Sequence, residues 1–114
     1  MQPIDKNTSS HYIWGNNCDS WILAENENLS VKQESMPPDA SERLHYHSKA
    51  QQFFFILKGT ATFILENEKY IVNPSQGIYV LPNVNHKVIN ETKSEIEFLV
   101  ISNLKTSKDR IDIE

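Results

Sequence analysis

Five prolines constrain this chain more than any other feature. Pro3, Pro37, Pro38, Pro74 and Pro82 cut its 114 residues into short pieces. Proline removes a backbone donor and clashes with the preceding turn, so each of these residues ends or kinks a helix. Few windows between them keep apolar residues at i, i+3, i+4 and i+7 for three turns. Runs of β character dominate instead. Residues 52–58 read QFFFILK and residues 60–66 read TATFILE, both rich in aromatic and β-branched side chains. Shorter runs at 21–25, 29–35, 44–48, 69–72, 77–81, 87–90 and 95–102 bring the total to about nine, at roughly 8–12-residue spacing. That pattern predicts an all-β sandwich or barrel. Gly59 falls between the two strongest runs, where a positive φ lets the chain reverse. Asn67 falls at the next reversal and tolerates the same conformation.

Composition removes several function classes. Eleven Lys and Arg against fifteen Asp and Glu give a net charge of -4. With no basic cluster, a nucleic-acid partner is not expected. No apolar run approaches the ~20 residues of a membrane span. The opening MQPIDKNTSSHYIW has no charged stretch followed by an apolar one, which argues against a secretory leader. Cys18 is the single cysteine, so neither an internal disulfide framework nor a thiolate zinc ribbon is available. A soluble cytoplasmic protein is expected. There is no P-loop, no dinucleotide fingerprint and no G-x-S-x-G elbow.

The histidines carry the chemistry. His45 and His47 form H-Y-H on an expected strand, and side chains at i and i+2 share a strand face. Two imidazoles on an inward face each need their ring nitrogens satisfied, and a divalent metal satisfies both. An exposed strand face is the alternative. His86, after Pro82-Asn83-Val84-Asn85, reads on its own as a loop residue, and His11 as a surface residue.

The order of these elements adds a resemblance. HYHSKAQQFFFILKG resembles the first motif of the cupin family: H-x-H, three or four residues, Glu, six residues, Gly. His45 and His47 match the histidines, Gln52 stands where Glu belongs, and Gly59 closes the motif. GIYVLPNVNHKVIN resembles the second motif, with Pro82, His86 and Asn90 in place. The resemblance implies a double-stranded β-helix, a cupin jelly-roll barrel. It implies a unit over 29–104, with 1–28 packing on it or on a partner subunit and 105–114 as a tail. The tail is expected either to fray or to add an edge strand to a partner through Ile111 and Ile113. The ligands it implies are His45, His47, Gln52 and His86, around one divalent transition metal (iron, manganese, nickel, zinc or copper).

Gln52 departs from that pattern. A neutral amide leaves the ion's charge intact, where a glutamate would cancel one unit. Weaker metal binding, a more acidic bound water and a preference for anionic substrates follow. Asp39 and Asn83 replace glycines of the two motifs, and asparagine tolerates the left-handed turn that the second one needs.

Parity places Phe54 and Ile56 on the Gln52 face and Phe53 and Phe55 on the other. Phe54, Ile56, Tyr79, Phe98 and Arg43 are the expected pocket-lining residues, with core packing the alternative for Tyr79 and a surface ion pair the alternative to a substrate carboxylate for Arg43. Phe53 and Phe55 need cover, expected from a homodimer or from the N-terminal segment. The functions that fit are a metal-dependent enzyme (a dioxygenase, isomerase or cyclase) acting on a small anionic or enolisable metabolite, and a non-catalytic module binding a sugar or other metabolite. A structural dimer with a degenerate site is the third reading.

Overall fold

The computed structural model of the chain describes residues 2–106 and 109–114. Eleven strands are present: β1 (Ser10–Trp14), β2 (Cys18–Asn26), β3 (Leu29–Met36), β4 (His45–His47), β5 (Gln51–Lys58), β6 (Ala61–Leu65), β7 (Glu68–Val72), β8 (Gly77–Val80), β9 (His86–Ile89), β10 (Ile96–Asn103) and β11 (Arg110–Asp112). They form two antiparallel sheets, one in the order β1-β2-β3-β10-β5-β8 and the other β11-β4-β9-β6-β7. No helix among the described residues is long and apolar enough to cross a membrane.

The expected closure into a β-barrel does not occur. β1 and β8 end one sheet and β11 and β7 end the other, and no strand ladder joins the two. The chain changes sheets through corners rather than through continuous strands. Asp39, between β3 and β4, has φ 66°, and Ser75, between β7 and β8, has φ 66°. Ser75 and Gln76 bond to the backbone of Ile56 on β5 rather than to a strand of the other sheet. Each corner turns the chain away from the ladder it has left, so the sheets face one another as open layers.

Alternation along the strands fills the space between the layers. Phe54 and Ile56 of β5 and Ile96, Phe98 and Val100 of β10 point inward from one sheet, and Ala61, Phe63, Val72 and Val88 from the other, in a single buried cluster. The Phe54 and Phe63 rings meet edge to face at 5.0 Å across the gap. Such contacts add about 1 kcal/mol beyond the area they bury. Cys18 is fully buried in this cluster and has no disulfide.

The turns follow from residue type. Gly59 has φ 77°, and an added Cβ would lie 2.8 Å from Ile96 Cγ2 and 3.1 Å from the Glu95 carbonyl oxygen. Asn67 and Asn83 take φ 70° and 68°, so asparagine occupies left-handed positions open to glycine. β1 was not expected as a strand; HYIW pairs with β2 and extends the first sheet. Residues 110–112 do not fray: β11 pairs with β4 of its own chain, Arg110 opposite His47 and Asp112 opposite His45.

Candidate metal centre

β4 is three residues long, and its alternation sends His45 and His47 inward with Tyr46 on the other face. His86, the first residue of β9, sits opposite His45 in the ladder. Its loop is drawn back to β4 because the Asn83 amide donates to the His47 carbonyl at 2.8 Å. The left-handed turn at Asn83 makes that return possible. Gln52 arrives from the other sheet on β5. All four side chains are buried, His45 and His86 at 2% and 1% exposure.

The imidazoles converge. Ring centroids of His45 and His86 are 4.3 Å apart, those of His45 and His47 5.1 Å, and those of His47 and His86 5.8 Å. One ligand atom from each histidine lies within 4.8 Å of the others. Their tautomers are fixed from outside the cluster. His45 Nδ1 donates to the Arg43 carbonyl at 2.7 Å, and His86 Nδ1 donates to the Val84 carbonyl at 2.8 Å. Carbonyl oxygens only accept, so Nδ1 carries the proton in both rings and Nε2 presents a lone pair.

The donor set fits a metal. Burial, then the charge His86 would carry, pushes His45 down to about 3; the same causes push His47 down to about 4, and burial lowers His86. All three are therefore neutral at pH 7, as coordination requires. His47 Nδ1 is buried and has no hydrogen-bond partner among the described residues. Most telling is Gln52, whose Nε2 donates to Ser102 Oγ at 3.2 Å while its Oε1 stands 3.2 Å from His86 Nε2. Gln52 thus abuts the open Nε2 of His86. Ligands at ~2.1 Å from one ion and at right angles lie about 3.0 Å apart.

The comparisons with known proteins agree. The family model described as "Cupin domain" matches residues 32–102, well over half the chain. This chain belongs to the cupin family. An uncharacterised protein of Methanocaldococcus jannaschii is 29% identical over 73 residues, 64% of this chain and 58% of that protein. The chain thus spans less than two thirds of that relative's length. Among solved structures, the polyketide cyclase RemF from Streptomyces resistomycificus gives a TM-score of 0.86 at 14% identity, over 100% of this chain and 86% of that one. KdgF from Halomonas sp. gives 0.82 at 13% identity, over 91% and 95%. At such identities the likeness is one of fold.

In this cupin His45 and His47 border a cavity of about 260 Å³ whose walls also include Gln52 and Phe54. The other expected lining residues lie elsewhere. Ile56 and Phe98 are fully buried in the core. Tyr79 is 54% exposed on the outer face, with its hydroxyl donating to Gln51 Oε1. Arg43 is exposed beside a separate outer cavity, and only its carbonyl serves the site. The sheet's alternation explains the Tyr79 result, because it pairs with outward-facing Phe53.

The cavity also contains charged residues that sequence reasoning missed: Lys32, Glu34, Glu42 and Arg110. Burial pushes the Glu34 carboxyl up to about 7, against the opposing influence of Ser20, Lys32 and Arg110. Burial likewise pushes Glu42 up to about 8, against the pull of Arg110. Arg110 Nη1 is 3.3 Å from Glu42 Oε2. Parity could have found Glu34, since Ser30, Lys32 and Glu34 occupy one face of β3 and register with Ser102, Val100 and Phe98. Arg110 had no local signal.

Proposed function

We propose that this cupin is a metal-dependent enzyme acting on a small, anionic or enolisable metabolite, with His45, His47, His86 and Gln52 holding one divalent transition metal. The observation that carries the reading is the convergence of three buried, neutral imidazoles, whose ligand atoms lie within 4.8 Å of one another, with the Gln52 amide 3.2 Å from His86 Nε2. The His86 proton is committed to Val84, and burial disfavours a second one. The metal would polarise a ligand oxygen or acidify a bound water. The chain's own residues supply the rest. Lys32 and Arg110 offer donors to an anionic ligand, and Glu34, poised near neutrality, can take and return a proton. Such proton movement suits isomerising or ring-closing reactions.

The test is metal analysis of protein purified without a histidine tag or chelator, followed by turnover assays on small enolisable carbonyl compounds. One metal per chain, and turnover abolished by chelation, are expected. Failure to contain or take up any of iron, manganese, nickel, zinc or copper would overturn the reading. Gln52→Glu sharpens it. A carboxylate in the same place is expected to tighten zinc binding about tenfold or more, because an anionic oxygen is the stronger donor. Weaker binding by the variant would remove Gln52 from the ligand set.

A homodimer through the outer face of β5 completes the proposal. Phe53 is 39% exposed, and its ring stacks on Phe55 at 6.4 Å. Leu57 and Tyr79 extend the same apolar face. The N-terminal segment does not cover it, because β1 and β2 lie at the opposite end of the sheet. Light scattering is expected to give the mass of two chains for the native protein and of one for Phe53→Glu. A native mass of one chain would refute the dimer.

A further inference from the structure

The turn that separates two of the proposed ligands is held by a residue far away in sequence. His47 ends β4 and Gln51 begins β5, so residues 48–50 are the whole connection. All three of their backbone amides donate to one carboxylate, that of Asp109. Ser48 N reaches Oδ1 at 2.8 Å, Lys49 N reaches Oδ1 at 3.2 Å, and Ala50 N reaches Oδ2 at 2.7 Å. The Ser48 hydroxyl adds a fourth bond to Oδ1 at 2.9 Å. Three consecutive amides around one anion form a nest, and bonds to an ionised acceptor are about twice as strong as neutral ones.

The residues after Asp109 continue the grip along the histidine strand. Arg110 pairs opposite His47 in the ladder and reaches Glu42 with its guanidinium. Asp112 pairs opposite His45. The Ile113 amide donates to the Leu44 carbonyl at 2.9 Å, and the Leu44 amide donates to Glu114 Oε1 at 2.7 Å. Residues 109–114 thus brace the chain from Glu42 to Ala50. The family match ends at residue 102, so this brace lies beyond the matched segment.

We propose that residues 109–114 are a positioning element of the metal centre, with Asp109 as the positioning residue that sets the spacing between His47 and Gln52. The inference rests on the reading of those two side chains as ligands. They arrive from opposite sheets, and the 48–50 turn is the chain's direct link between them. Without the Asp109 carboxylate, the Lys49 and Ala50 amides lose their acceptor, Ser48 keeps only the Asp109 carbonyl at 3.4 Å, and the turn can relax. Partners behind the ligands of a metal commonly change affinity 10–100-fold when removed.

Asp109→Ala and Asp109→Asn test this beside the native chain. Zinc affinity is read by competition with a chromophoric chelator. Metal-free protein is followed by its melting temperature and by NMR. Zinc binding is expected to weaken roughly 10–100-fold in Asp109→Ala, and less in Asp109→Asn, whose amide oxygen still accepts. A lower melting temperature with unchanged zinc affinity in both variants means a merely structural role and overturns the proposal. If Asp109→Ala does not fold, Asp109→Asn carries the comparison. If the native chain binds no zinc, the ligand reading fails separately, and the metal-free spectra decide. Faster amide exchange at 48–50 with displaced His47 and Gln52 side-chain resonances supports the brace, and unmoved resonances reject it.

Discussion

A chain carrying both His45→Ala and His86→Ala is expected to bind zinc at least ~1,000-fold more weakly than the native protein. Four-ligand zinc sites bind with apparent free energies of about 10–16 kcal/mol, or roughly 3 kcal/mol per ligand. Each lost imidazole therefore weakens binding by about 100-fold. The two substitutions remove the closest pair of rings in the cluster. Competition with a chelator of known affinity measures the effect, and near-native affinity in the variant would place the metal elsewhere. Protons should also compete with zinc at His45 and His47 only at lower pH than at ordinary imidazoles, because burial holds them at about 3 and about 4. Ordinary imidazoles would begin to lose zinc near pH 6.5. In the metal-free protein the unfolded state binds protons below pH 6.5 that the buried rings refuse, so the histidines' own contribution to stability falls as the pH drops from there towards 4.

The second large effect belongs to Glu34. Its carboxyl is raised from 4.5 to about 7 by burial. A group raised on folding contributes stability below its unfolded pKa and loses it as the pH climbs through the folded value. Above pH 7 the folded protein therefore holds an ionised carboxylate in a poor environment. Glu34→Gln removes that charge. The variant is expected to be more stable than the native chain by on the order of 2–3 kcal/mol at pH 8, and close to it at pH 4. Denaturant melts at the two pH values provide the comparison. An equal difference at both would show that Glu34 titrates normally. If Glu34 serves a reaction, the same variant gains stability while losing turnover, the usual exchange at functional sites.

Much of the site was legible because its signals are local. H-x-H puts two rings on one face wherever it forms a strand, and Gln52 shares the inward face of QFFFILK with Phe54 and Ile56. Left-handed turns at Gly59, Asn67 and Asn83 were readable from residue type. The features that were missed depend on register between distant segments. Glu34 enters the cavity because β3 lies beside β10, and Arg110 because β11 lies beside β4. No short motif marks either pairing. Tyr79 was misplaced for the same reason, since its face follows from pairing with Phe53. Closure was a matter of global geometry: the corners at Asp39 and Ser75 lead strands away from the ladders that a closed barrel would need.

Open sheets divide the site's mechanics unequally. Gln52 stands on β5, with β10 on one side and β8 on the other. His45 and His47 stand on a three-residue strand that meets β9 only at His86 and is flanked outside by another three-residue strand. One wall of the cavity is therefore held by long ladders, and the other by short ones and the contacts of residues 109–114. Openings of a fold concentrate where backbone pairing is sparse, so the histidine wall depends on that brace. An ion gripping both walls would stitch the sparsely paired layer to the fully laddered one.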